Sequence, residues 1–133
     1  MKLTKSQMQA GKEAQRLTAS RELAVSLLDR FEDRLADWDL ASLTQFMVLR
    51  SKTAEALGLV SKSDVYAFAE TTLLLAPSLE NTRQFRDAVV GAPDTNTRML
   101  HPLRTLEPGF WAQITRPDAP SAWLDVFRQR HIL

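Results

Sequence analysis

Cysteine is absent from the 133-residue chain, and glycine, histidine and tyrosine are scarce. Without cysteine the protein has no disulfides, no thiol nucleophile and no thiolate ligands for zinc. The glycines lie singly at positions 11, 58, 91 and 109, so the chain has no glycine-rich loop that could cradle a phosphate. These absences exclude disulfide-stabilised scaffolds and argue against nucleotide hydrolysis.

Other catalytic signatures are missing as well. The two histidines, His101 and His131, lie far apart, and neither has a second ligand at a spacing that zinc or iron sites use. No serine lies in a G-x-S-x-G turn, and carboxylate pairs such as Glu32 and Asp33 are neighbours on an expected helix surface. We therefore expect no metal, no cofactor and no enzymatic activity.

Long apolar runs are missing too. No stretch approaches the roughly 18 residues that a membrane span needs, and the start MKLTKSQMQAGKEAQ lacks the apolar region of a signal peptide. The net charge is +1, and positive and negative side chains balance in both halves, so no basic face for nucleic acid is visible. We expect a cytoplasmic protein that binds neither membranes nor nucleic acids.

Helical periodicity is what the chain does contain, and it is clearest in the first part. Thr4 and Gln7 fit a capping box at a helix start. A stripe of apolar residues then keeps to one helix face, at Leu17, Ala24, Leu28, Phe31, Leu35 and Trp38. We expect one helix over residues 4–38, about ten turns and roughly 50 Å long.

The remaining residues indicate several shorter helices and no strands. Gly58, Pro77 and Gly91 are expected to end helices, and no segment alternates with the period of two that strands show. Helices are predicted over residues 41–57, 62–75, 82–90, 95–106, 110–114 and 121–130. The sequence thus predicts an all-α, single-domain bundle of about five to seven helices over residues 1–133. Its expected core comprises Leu28, Phe31, Leu35, Phe46, Leu57, Val65, Phe68, Leu73, Phe85, Leu103 and Trp111.

The length of the first helix suggests where a partner could bind. A helix of roughly 50 Å exceeds a domain whose radius of gyration is about 14 Å, so its N-terminal part should extend past the core. Side chains there would have no cover within the chain. We expect a surface that binds another protein, or a second copy in a homodimer, formed by Met8, Ala14, Leu17, Arg21 and Trp38. Trp38 is equally suited to the core.

Two alternatives remain open. Arg98, His101, Arg104 and Trp111 are close in sequence and could converge on an anionic ligand, which would suit a small enzyme or ligand-binding protein. The other alternative is an immunity protein that neutralises a toxin. For that role an acidic face against a basic toxin would be expected, and the near-neutral charge does not favour it.

Several segments resemble a known group of proteins. They are the start LTKSQM, the segment Ala54–Val65 (AEALGLVSKSDV), Phe68, the leucines between positions 74 and 79, and Arg98 with the leucines after it. Together they resemble small helical bacterial proteins that are encoded beside effector and spike-protein genes of type VI secretion systems. The resemblance implies an accessory role, as an adaptor or chaperone for a secreted effector, without enzymatic activity. It transfers no catalytic residues.

Overall fold

Helices account for all the regular structure in residues 4–131, the part of the chain that the computed structural model describes, with side chains described as far as Arg128. No strand occurs in this range, which confirms the all-α class, and the helices pack as one domain. A short 3-10 turn, Leu79–Asn81, precedes the fourth helix. The seven helices of this range are α1 (Lys5–Arg30), α2 (Leu40–Ala56), α3 (Lys62–Leu74), α4 (Arg83–Val90), α5 (Leu100–Thr105), α6 (Pro108–Ile114) and α7 (Ala119–His131).

The first helix begins as predicted and ends earlier. Thr4 and Gln7 form the capping box, with Thr4 N donating to Gln7 Oε1 at 2.8 Å and Gln7 N to Thr4 Oγ1 at 3.1 Å. α1 ends at Arg30, so it is about 39 Å long instead of roughly 50 Å. Residues 31–37 continue as turns, because the chain bends there to bring Leu35 and Trp38 into the core.

The buried face of α1 also differs from the predicted stripe. Ser20, Leu23, Ala24 and Leu27 are buried, whereas Leu17 is 48 % exposed. The observed face is rotated by about 60°, a sixth of a turn, from the predicted one. Ser20 is buried on this face, and a prediction that follows apolar residues alone does not include it.

Side-chain caps fix the starts of the next helices. Asp39 begins α2 by accepting from Ser42 N at 2.7 Å, and this hydrogen bond lowers the pKa of the Asp39 carboxyl. Ser61 begins α3 by accepting from Asp64 N at 3.2 Å. Thr82 begins α4 in the same way, through Phe85 N. These three boundaries match the predicted ones to within one residue, since the signal lies in the capping residue itself.

The predicted helix over residues 95–106 is only partly formed. α5 begins at Leu100, and residues 91–99 form turns. The buried carboxylate of Asp64 accepts hydrogen bonds from the backbone N–H groups of Arg98, at 2.9 Å, and Met99, at 3.1 Å. These two bonds tie the segment between α4 and α5 to Asp64 at the start of α3. The N–H groups of Arg98 and Met99 thus bind a side chain, and α5 begins only after them.

The core consists of two clusters that meet at α3. Phe68 faces one cluster and stacks on Phe85 at 6.1 Å between ring centroids, while Ala69 and Leu73 face the other. Cluster one contains Leu23, Ala24, Leu27, Leu35, Trp38, Leu43, Phe46, Met47, Ala69, Leu73, Leu74 and Leu124. Cluster two contains Ala54, Leu59, Phe68, Ala76, Leu79, Phe85, Val89 and Met99.

Most of the predicted core residues pack in these clusters. Leu35, Phe46, Phe68, Leu73 and Phe85 are buried. Leu103 is exposed, so its assignment to the core is wrong; it lies on the solvent side of the short helix α5. The half-buried members pack against the edges of the clusters, and they are Leu28, Phe31, Leu57, Val65 and Trp111.

Candidate functional site

A groove of about 420 Å³ lies between the N-terminal half of α1, the end of α2 and the beginning of α3. We call it the α1 groove. Its apolar lining comes from Ala19, Leu59, Val60, Val65 and Tyr66. Its polar and charged lining comes from Lys12, Arg16, Ser51, Glu55 and Lys62. Such a combination of apolar surface with charged borders suits a protein or peptide ligand.

An ion-pair network forms the wall between α1 and α2. Glu55 accepts from Lys12 Nζ at 2.8 Å and from Arg16 Nη2 at 2.6 Å, and Arg16 Nη1 donates to Ser51 Oγ at 3.2 Å. The hydrogen bonds from Lys12 and then Arg16 lower the pKa of the Glu55 carboxyl to about 2. Arg16 Nε is buried and has no acceptor among the described residues. With its pKa at about 2, the Glu55 carboxyl stays ionised at neutral pH.

The opposite wall is held by α3. Tyr66 donates its hydroxyl proton to the backbone oxygen of Ala19 at 3.1 Å, which ties α3 to α1 across the floor of the groove. Lys62 Nζ lies 5.4 Å from the centre of the Tyr66 ring and 3.7 Å from Glu22 Oε2. Lys62 thus adds a positive charge on the side of the groove that faces Lys12.

The structure divides the predicted partner-binding residues between two faces of α1. Met8 is 60 % exposed and lies outside the lining of the α1 groove, one turn before Lys12 on the same helix face. Ala14, Leu17 and Arg21 are exposed on a different face, away from α2. The exposure predicted for these residues is confirmed, while the partner itself stays a prediction.

Trp38 does not belong to that surface. It is only 5 % exposed, packs against the rings of Phe46 and Phe127, and donates from Nε1 to the backbone oxygen of Pro120 at 3.0 Å. The prediction that Trp38 contacts a partner is therefore wrong for this structure. The bend after α1 turns its indole inward, and a buried indole N–H needs the acceptor that Pro120 supplies.

The four residues of the alternative ligand site around Arg98 have different described surroundings, and that site stays a prediction. Arg98 turns toward the α2–α3 connection, where its Nη1 lies 2.6 Å from the position that a Cβ would take on Gly58. Trp111 packs against cluster two, His101 is half-buried and Arg104 is exposed. No hydrogen bond or ion pair among the described residues joins any two of the four.

A second cavity, which sequence reasoning missed, lies between α2 and α7. We call it the Arg50 pocket. It has a volume of about 310 Å³ and is lined by Phe46, Leu49, Arg50, Lys52, Thr53, Trp123, Val126 and Phe127. Arg50 and Phe46 are four residues apart, which is a signal for one helix face, but nothing in the sequence links them to Trp123 on α7. Only folding brings these residues together.

The described residues form neither a metal-binding cluster nor a membrane-spanning helix. Among residues 4–128, whose side chains are described, no three or more His, Asp or Glu side chains lie close enough together to hold a metal ion. No helix in residues 4–131 combines the length and apolar character that a membrane span requires.

Comparison with known proteins adds no relative. No protein-family model, no curated protein and no solved structure matches this chain. The resemblance to proteins encoded beside type VI secretion genes therefore stays a prediction from the sequence.

Proposed function

We propose that this protein is a non-enzymatic protein-binding module, and that the α1 groove takes an amphipathic helical segment of a partner with acidic side chains. One observation supports the proposal above the others: exposed apolar side chains lie beside a border of mainly positive charge. Val60 is 68 % exposed at one edge, Met8 is exposed at the other, and Lys12, Arg16 and Lys62 outnumber Glu55 along the lining.

The apolar part of the groove provides the driving force for binding. Exposed apolar side chains that cluster beside a groove are typical of protein interfaces. An amphipathic helix in such a groove places side chains at i, i+3, i+4 and i+7 against the apolar floor. The half-buried side chains of Val65 and Tyr66 form the accessible part of that floor, and the hydrogen bond from Tyr66 to Ala19 ties α3 to α1 across it.

The charges supply orientation and selectivity. Lys12 and Arg16 share the single carboxylate of Glu55, and the ion pair of Lys62 with Glu22 is exposed and long, at 3.7 Å. Acidic side chains on a partner would satisfy the excess of donors at the border. Rim charges of this kind mainly raise the association rate, and salt weakens their effect.

The overhang of α1 extends the binding surface. Glu55 lies next to the end of α2 and pairs with Lys12, so residues 5–11 of α1 project beyond α2. Every residue of that segment is exposed. A partner helix along the groove would cover Met8 as well as the floor.

The resemblance to proteins encoded beside type VI secretion genes implies an accessory role for a secreted effector. Effectors and spike components are therefore the first partners to test.

The test combines site-specific crosslinking with quantitative binding. A photoreactive residue at position 60 should capture a partner in cells of the source organism, and the captured protein is then purified and its affinity measured. Val60→Asp should weaken that affinity about tenfold or more, since it places an acid in an apolar contact. Val90→Asp is the matched control, because Val90 is exposed on α4 outside the lining of the groove.

Charge reversal separates this proposal from binding elsewhere. Lys62→Glu should weaken the same complex and reduce its dependence on salt. A complex whose affinity is unchanged by both Val60→Asp and Lys62→Glu would place the interface elsewhere. Light scattering should show that the isolated protein is a monomer. If it is instead a dimer, and Val60→Asp makes it monomeric, a second copy occupies the groove and the proposal is contradicted.

A further inference from the structure

We propose that the Arg50 pocket is a binding site for a small organic anion with a flat apolar body, of the aryl carboxylate class. The inference is independent of the α1 groove, which lies against the other side of α2's C-terminal part and shares no lining residue with this pocket. It depends on the walls of the cavity, on the state of one guanidinium and on the charges around it.

The walls are apolar and largely aromatic. Phe46 and Trp123 meet edge to face at 5.1 Å between centroids, and Phe127 lies 6.4 Å from Phe46. Leu49 and Val126 are partly exposed at the mouth. A cavity of about 310 Å³ is at the small end of the range for ligand sites, so it suits a body of one or two rings.

The guanidinium of Arg50 is positioned by rings and not by a full set of acceptors. Its Cζ lies 4.7 Å from the Trp123 centroid, 5.7 Å from Phe46 and 5.8 Å from Phe68. Among the described residues Glu80 alone accepts a hydrogen bond from it, through Nη1. Arg50 Nε and Glu80 Oε1 are buried and have no partner.

That arrangement is poorly explained by stability alone. Arg50 and Glu80 are each only 12 % exposed, and a buried ion pair must overcome the cost of removing both charges from water. Complete hydrogen bonding is what usually offsets that cost, and here it is incomplete. Because Nε is buried, the donors left for a ligand are those of Nη2, which makes no described hydrogen bond. A guanidinium with such donors beside an apolar cavity is what recognition of a carboxylate requires.

The surrounding charge selects an anion. Among the described residues, no carboxylate lines the pocket, whereas Lys52 adds a second positive charge at its edge. Glu80 pairs with Arg50 without being a lining residue, and it balances one of the two charges. A carboxylate in the cavity would therefore experience net attraction, while its ring would pack between Trp123 and Leu49.

The experiment uses 1-naphthoate as the probe and the uncharged 1-naphthamide as its isostere. Isothermal titration of the full chain should show one naphthoate bound per molecule, and at least about tenfold weaker binding of the amide. No binding at millimolar concentration would overturn the proposal. Equal affinities for acid and amide would overturn it too, because the pocket would then be an apolar cavity without a role for Arg50.

Two variants locate the site without disturbing the buried ion pair. Val126→Phe should fill the mouth and weaken naphthoate binding about tenfold, whereas Val25→Phe, a matched change at an exposed valine on α1, should leave it unchanged. Lys52→Gln should weaken it about threefold, and Lys5→Gln should not. The assignment would be overturned if naphthoate bound Val126→Phe as tightly as the parent. It would also be overturned if the pocket bound a side chain of a partner protein and no naphthoate.

Discussion

Glu55 is the residue whose chemistry the fold alters most clearly among those with a shifted pKa. Its carboxylate is half-exposed, yet it accepts from both Lys12 and Arg16, and its pKa falls from 4.5 to about 2. Because the folded state holds this proton less tightly than the unfolded chain, the pair stabilises the fold above pH 4.5. That contribution is lost as the pH falls from 4.5 toward 2.

We expect Glu55→Gln to reduce the free energy of unfolding at pH 7 by at most about 1 kcal/mol, since an exposed pair is screened by water. The difference from the parent should shrink toward zero between pH 4.5 and 2. Urea denaturation over this range measures it, and Glu32→Gln, at an exposed acid without a described ion pair, is the control. A difference that persists at pH 2 would mean that the charge is not its cause.

Two glycines provide a second test at the scale of the residue. Gly58 has φ +88°, and a Cβ there would lie 2.6 Å from Arg98 Nη1, whereas a Cβ on Gly11 would meet nothing within 4 Å. Gly58→Ala should destabilise the protein by more than about 1 kcal/mol, because both the backbone and Arg98 must move. Gly11→Ala should stabilise it by about 0.5–1 kcal/mol, since Gly11 lies within a helix. Thermal and urea unfolding of both variants measure these shifts.

At the scale of the helices, the ends marked by side-chain caps could be predicted, whereas those set by contacts between distant residues could not. Thr4, Asp39 and Ser61 mark helix starts because their side chains accept hydrogen bonds from backbone N–H groups three residues later, a pattern visible in the sequence alone. The end of α1 at Arg30 has no side-chain cap, and the turns after it lead to contacts between distant residues, such as that of Trp38 with Pro120. None of the residues that line the α1 groove was predicted to bind a partner, because the lining comes from three different helices that only folding brings together.

Burial on individual helices gives a further prediction. Phe85→Ala should cost about 3–5 kcal/mol, since Phe85 is fully buried on α4 and stacks on Phe68. Leu103→Ala on α5 should cost less than about 1 kcal/mol, because its side chain is exposed. Urea unfolding measures the loss of stability in both variants. A loss above about 1 kcal/mol in Leu103→Ala would mean that Leu103 is buried in solution and that the packing of α5 differs from that described here.

At the scale of the whole molecule, α3 makes one unfolding unit of the two clusters. Phe68 belongs to cluster two, whereas Ala69 and Leu73 belong to cluster one, so neither cluster can lose α3 without the other. We expect one cooperative transition, as small single domains usually show. The double variant Trp38→Phe and Trp123→Phe leaves Trp111 to report on cluster two by fluorescence. Its midpoint should coincide with that from circular dichroism, and separate midpoints would contradict this prediction.

The projecting turns of α1 have an energetic consequence. Residues 5–11 are exposed, and the hydrogen bonds described for their side chains stay within the helix, so little besides the capping box at Thr4 keeps them helical. Two isolated turns are marginal in water and should exchange their amide protons quickly. A partner must therefore order this segment before gaining its contacts. Gly11→Ala should tighten the complex without touching the partner, because less conformational entropy is left to lose.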